Sequence, residues 1–282
     1  MAVRIITDSA SDFEPEIALD EKIDVVPLAV QFGDTTYWDG KTIAKEQFYQ
    51  LLQEGSVNPT TSQPTPDAFL QRFEAARNAG DEVVVILLSG ALSGTLQSAV
   101  IARDLCGYEP IHIVDSRTVS AGLQLLVGHA CRLRNEGLSA AAIAGEVESL
   151  KGRLRVSAVV DTLEYLRRGG RLTDLQAGLG TVTRLKPVVA VRDGAVAVVT
   201  KAFGTGAAIR HLLKGVAEHP IDNRFPLYFL YTSDQSRQDL LRPRLEDAGV
   251  LPPQCKNCCI GAAIGTHIGT GAVGLAYVEQ EV

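Results

Sequence analysis

The stretch DEVVVILLSGALSGTLQSA, residues 81–99, reads as strand, turn and helix, and the rest of the chain can be read outward from it. The apolar run from Val83 to Leu88 is rich in β-branched residues and too short to span a membrane, which predicts a strand buried on both faces. Small and hydroxyl residues follow, and then a helical pattern resumes. Ser93 stands at the mouth of that helix. A hydroxyl there caps the helix or shares the free amides of Gly94, Thr95 and Leu96 with a bound anion. The Gly-rich turn forms without an extra hydroxyl, so a ligand role weighs at least as much as a structural one. Residues 89–95 are therefore a candidate anion cup.

The arrangement recurs twice. Val3 to Ile6 feeds TDSASD (7–12), and Ile111 to Val114 feeds DSRTVSA (115–121). In an open parallel sheet such loops gather at the carboxyl ends of the strands, where ligands bind. Ser9, Ser11 and Ser116 taken singly fit N-caps or Asx-type turns.

Length and composition narrow the function classes. A chain of 282 residues with 46% hydrophobic content can bury a large core and fits two domains slightly better than one. The formal net charge of −6, with no basic block beyond a short Arg cluster at 167–171, argues against a nucleic-acid partner. No apolar run reaches the ~20 residues of a membrane span, so no integral membrane segment is expected. The N-terminus enters a strand at once, which predicts a cytoplasmic protein. Five Cys is an odd number that argues against a disulfide framework. Cys255, Cys258 and Cys259 form a CxxCC cluster without a second pair at ligand spacing, so no metal is assigned.

Along the chain, residues 23–30 predict a further strand, placed by Pro27 at an edge or beside a ligand, followed by a hairpin turn at 31–37 and a helix at 43–53. Three prolines and four hydroxyls make 58–66 a rigid loop, neither helix nor strand. Helices are expected at 67–77, 119–135 and 140–151, the last capped by Ser139. From about residue 157 the strands shorten and Gly becomes denser, which sets a domain boundary: residues 1–156 carry an α/β unit and 157–282 an α+β unit. The second unit reads as strand 157–161, helix 162–167, loop 168–173, helix 174–180 and a hairpin at 187–200 turned by Asp193 and Gly194. Helix 206–218, strand 226–232, helix 235–247 and strands 258–264 and 272–278 complete it.

With LSGT (92–95), TSQP (61–64), LEYLRRGGRL (163–172) and IGTHIGTGAVG (264–274) in the order and spacing found here, the sequence resembles the DegV family over nearly its whole length, and the TDSASD and IVDSR openings fit as well. The resemblance implies a two-domain α/β fold, with an N-terminal open, mostly parallel sheet, a C-terminal α+β domain and a long-chain fatty acid such as hexadecanoate held in a tunnel between them. It implies no cofactor and no catalysis by the chain itself. Family members resemble the binding subunits of bacterial fatty acid kinases, which present the acyl carboxylate to a separate ATP-dependent catalytic subunit in lipid metabolism. On the matching positions, Thr61, Ser93 and Gly94 would hold the carboxylate with His267 beside it, and Arg171 would belong to a positive rim. Two positions depart from the family pattern. Thr270 stands where the family usually has Pro after the His, and Phe203 stands where many members carry Arg, with Lys201 nearby.

The residues support such a site chemically. A carboxylate in a partly apolar slot loses solvation and needs several donors to stay ionised, and hydroxyls, helix amides and an imidazole supply them. The rival from another class is a serine hydrolase with Ser93 as nucleophile and His267 as base. It lacks the GxSxG elbow, because Gly90 lies three residues before Ser93 and not two.

Overall fold

Val83, Val85 and Leu87 face one side of the central strand, and Val84, Ile86 and Leu88 face the other, all of them 3% exposed or less. The structure, a computed structural model, describes residues 2–55, 57–172 and 185–281. It opens with β1 (Val3–Asp8), α1 (Pro15–Asp20), β2 (Ile23–Val26), β3 (Ala29–Phe32), β4 (Thr35–Trp38), α2 (Lys45–Glu54) and β5 (Thr60–Ser62). Next come α3 (Pro66–Ala79), β6 (Glu82–Leu87), α4 (Thr95–Cys106), β7 (Ile111–Asp115), α5 (Ala121–Asn135) and α6 (Ala140–Leu150). The remainder supplies β8 (Leu154–Val159), α7 (Glu164–Arg168), β9 (Leu185–Arg192), β10 (Ala195–Phe203) and α8 (Gly204–Glu218). It ends with β11 (Leu227–Tyr231), α9 (Arg242–Asp247), β12 (Cys255–Cys259), α10 (Ala262–Ile268) and β13 (Val273–Val278).

The first sheet is parallel, in the order β2-β1-β6-β7. Its three hydroxyl-rich loops therefore open at one edge, at the carboxyl ends of β1, β6 and β7. Phe69, Phe73, Ala99 and Ala102 of α3 and α4 pack on one face, and Leu126 and Ile143 of α5 and α6 on the other. The second sheet is mixed, in the order β10-β9-β8-β13-β11-β12, and begins at Leu154. Ile209, Leu212 and Leu245 of α8 and α9 bury one of its faces, while Val156, Leu230 and Ala276 on the other join α5 in a common core. Helix α5 is thus enclosed by two sheets, and Ala121 to Val127 are all buried. This is the expected α/β architecture.

Several elements differ from the sequence reading. Residues 23–30 split at Pro27: β2 stays as the edge of the parallel sheet, and β3 crosses into a small antiparallel sheet in the order β4-β3-β5. The predicted rigid loop at 58–66 is wrong for Thr60–Ser62, which pair with Gln31, Val30 and Ala29 as β5. Pro59 and Pro64 flank these three residues without removing their donors. The predicted strand at 258–264 stops at Cys259, and helix α10 follows from Ala262. Residues 235–247 divide into a 3₁₀ turn, Gln235–Leu240, and α9, whose start is set by Pro243. Helix α2 begins two residues after Ile43, which instead bridges Asp39. The β9–β10 hairpin turns as expected at Asp193 and Gly194, with φ of 49° and 82°. The expected helix at 174–180 lies outside the described residues. No helix among the described residues is long and apolar enough to cross a membrane.

Candidate functional site

Between the two sheets lies a chamber of about 330 Å³. Its walls are mainly apolar, with Leu28, Leu88, Val156, Val189, Leu230 and Ile264 among them. Thr61, Ser93, Gly94, Arg171 and His267 all reach its lining, so every site residue expected from the sequence comes to one cavity.

One pair on its wall joins residues 206 apart in sequence. Thr61 Oγ1 and His267 Nε2 lie 2.9 Å apart. Strand alternation turns Thr61 inward between the exposed Thr60 and Ser62. His267 sits in the last turn of α10, a helix in a stretch where the sequence predicted none. Its ring is pressed against Gly169, where a Cβ would run into Nδ1. Burial, aided by the charge of Arg171, lowers the imidazole to a pKa of about 4, so the ring is neutral near pH 7. Nδ1 is buried without a hydrogen-bond partner among the described residues. A lone pair left alone at Nδ1 costs less than an orphaned N–H, which favours the tautomer whose Nε2–H donates to Thr61 and leaves the threonine hydroxyl proton free to reach a ligand anion.

Ser93 Oγ lies 2.9 Å from Thr95 Oγ1 and 3.3 Å from Thr95 N, at the start of α4. Gly94 is the N-cap, and the end of the Gln63 side chain occupies the space that a Cβ there would take. Gln63 Nε2 in turn donates to Ser98 Oγ at 3.1 Å, tying β5 to α4. Gln63 lies within TSQP, where the sequence alone assigns it no role. The signal that finds it is the pairing of a Gly-led helix with a side chain that only tertiary contact brings there. Arg171 Nε donates to Leu92 O at 3.1 Å and NH1 to Gly169 O at 2.5 Å. Its guanidinium therefore fastens the loop after α7 to the loop after β6 while keeping a positive charge at the chamber wall. Phe203 is 75% exposed at the end of β10.

No hydrogen bond joins Ser93 to His267 among the described residues, and the imidazole is paired with Thr61. Cys258 is buried, and Cys259 alternates with it along β12, so the two thiols leave the strand on opposite faces.

A family model described as "Uncharacterised protein, DegV family" matches residues 2–280. The chain belongs to the DegV family. A DegV domain-containing protein of Caldanaerobacter subterraneus subsp. tengcongensis is 36% identical over 99% of both chains. A DegV family protein from Thermus thermophilus, whose structure concerns fatty acid binding, superposes with a TM-score of 0.90 at 33% identity, covering 99% of this chain and all of that one. A stearic acid-binding protein of Eubacterium ventriosum matches at TM-score 0.88 and 25% identity, over 99% and 98% of the two chains. DegV folds thus hold fatty acids in solved structures, and this DegV chain has an apolar chamber with a polar cluster on its wall.

Proposed function

We propose that this protein binds a long-chain fatty acid, such as hexadecanoate, in the chamber between an N-terminal unit (1–156) and a C-terminal unit (157–282). It presents the carboxylate to a separate kinase catalytic subunit, feeding phospholipid synthesis in the cytoplasm, and is not itself a catalyst. The observation that carries this reading is the Thr61–His267 pair at the wall of a mainly apolar cavity. Ser93, the Gly94 end of α4 and the Thr61 hydroxyl are the donors proposed for the carboxylate. The acyl chain supplies most of the affinity: at ~0.8 kcal/mol per buried CH₂, sixteen carbons contribute on the order of 12 kcal/mol before ordering costs. The polar groups orient the acid.

The hydrolase reading is weakened by the same geometry. A base needs its nucleophile within hydrogen-bond reach and a partner that orients it, but His267 faces Thr61 and has a bare Nδ1.

Denaturing extraction of the purified protein followed by mass spectrometry tests the proposal. The expected result is close to one long-chain fatty acid per chain, and delipidated protein that takes up none at micromolar concentration would overturn it. Presentation is tested separately with a catalytic subunit and ATP. His267→Ala and Arg171→Ala should each retain bound acid yet lower acyl phosphate formation, because charge gathers at the carboxylate only as phosphoryl transfer proceeds. With Phe203 in place of an Arg, Arg171 bears more of that task. Equal acyl phosphate yields at matched occupancy would remove the presenting role.

A further inference from the structure

Helix α10, which carries His267, has only seven residues, too few for its own hydrogen bonds to hold it in one orientation. Its leading amides are taken by two carboxylates from the opposite end of the sequence. Asp12 Oδ1 accepts from Gly261 N at 2.9 Å, and the two oxygens of Asp39 accept from Ala262 N and Ala263 N at 3.0 and 3.1 Å. Both side chains are buried. Asp12 is fixed further by Ser120 Oγ, which donates to Oδ2 at 2.5 Å, and by Lys45, whose Nζ donates to the Asp12 carbonyl at 2.8 Å. The approach requires glycine: a Cβ at Gly261 would stand 2.7 Å from Asp12 Oδ1 and 3.4 Å from Asp39 Oδ1. One turn on, Gly265 lies against Phe48 and Tyr49 of α2, and the Tyr49 hydroxyl donates to Ile260 O at 2.8 Å.

Capping alone does not call for this arrangement. A single Ser or Asn before the helix would satisfy one of its first amides at the surface, whereas two buried carboxylates carry a desolvation cost. Their effect is to fix α10 to two segments, the one that follows β1 and the one that follows β4. The second is continuous with the small sheet in which β5 holds Thr61, and the first leaves the parallel sheet beside it. The hydroxyl and the imidazole, drawn from opposite ends of the sequence, are thereby referred to one frame.

The geometry points to Asp12 and Asp39 as positioning residues of the head-group site, which hold α10 so that His267 meets Thr61 at hydrogen-bond distance. The functional meaning rests on the fatty acid reading, whereas the positioning can be tested without any ligand.

Two substitutions disturb the grip from opposite sides. Asp39→Asn keeps an acceptor for one amide and turns a donor toward the other. Gly261→Ala pushes a methyl against both carboxylates and leaves every charge in place, and it serves if the Asn variant does not fold. The first readout is the ¹⁵N spectrum of the His267 ring in ligand-free protein. Wild type should show one fixed neutral tautomer, and both variants should shift toward the averaged signals of a mobile ring. The second readout is palmitate dissociation, followed by displacement with a fluorescent fatty acid. It should become roughly tenfold faster while most acid stays bound at equilibrium, the equivalent of one lost hydrogen bond to a charged group, because Thr61 loses the imidazole that aims its hydroxyl at the carboxylate. Folded variants with a lower melting temperature but unchanged ring signals and unchanged dissociation would reduce both carboxylates to a structural role and overturn the proposal. If wild type takes up no palmitate, the fatty acid reading fails, and the ring spectra still decide the positioning.

Discussion

His267 is held neutral by burial, and a carboxylate brought beside it reverses that balance. Its folded pKa of about 4 lies below the ordinary 6.5. The native state therefore binds fewer protons than the unfolded chain between those values, and the ring's contribution to stability is present above pH 6.5 and lost as pH falls toward 4. In delipidated protein the ring should titrate near 4 by NMR, and in fatty-acid-loaded protein its midpoint should rise, because an adjacent anion favours the imidazolium. Identical midpoints would mean that the head group does not sit beside His267. Thr61 and Ser93 differ from the His in having no charge to change. Thr61→Ala and Ser93→Ala should each weaken retention by roughly 1.5–3 kcal/mol, the range for a hydrogen bond to a charged group. Competitive displacement measures this, and wild-type retention in both variants would place the carboxylate elsewhere. A fluorophosphonate that labels wild type and not Ser93→Ala would instead favour the hydrolase.

Helix α5 is the element on which both sheets depend, because its first two turns have no exposed face. Leu126→Ala there should cost about 2–5 kcal/mol, the range for truncating a fully buried Leu, measured as a shift in the urea midpoint at unchanged slope. A loss within the 0.5 kcal/mol typical of surface sites would contradict the two-sided packing. Elements of this kind were legible from sequence. An uninterrupted apolar strand such as β6 has few alternatives, and three strands with hydroxyl-rich ends implied a common parallel edge. Other elements were not legible, for physical reasons. Strand β5 has only three residues between prolines and is stabilised by pairing with β3, which no local pattern announces. Helix α10 has Gly265 at its centre and distant carboxylates on its first amides, so AAIGTHI reads locally as strand or loop. The residues proposed for the site were named from motifs shared with a family, and they line one cavity. Asp12 and Asp39 carry no such signal, because their contacts with α10 span more than 220 residues.

At the scale of the whole molecule, the junction of the two sheets encloses carboxylates that ordinary surface sites would leave ionised. Asp8 and Asp12 are raised to a pKa of about 7, chiefly by burial, against the usual 3.8. Asp8 joins two strand ends, accepting from Ala10 N with one oxygen and from Leu88 N with the other. The charged groups acting on it include Asp12 and Asp39, and Lys45 is the cation acting on both of those. With a folded pKa above the unfolded one, the native state holds more protons than the unfolded chain from about pH 4 to 7. Stability then falls as pH rises through that window and levels off above it, opposite to an ion-paired surface Asp. Replacing Asp8 by Asn removes the titration but turns a donor toward one of the two amides, so the variant should be less stable at every pH. Its deficit relative to wild type should shrink as pH rises from 5 to 7, by at most about 1.4 kcal/mol per pH unit for one proton, and stay constant above 8. Urea unfolding of both proteins across this range measures the deficit. A deficit that grew with pH would show that Asp8 is stabilised as the carboxylate, and that the Leu88 and Ala10 amides outweigh the cost of its burial.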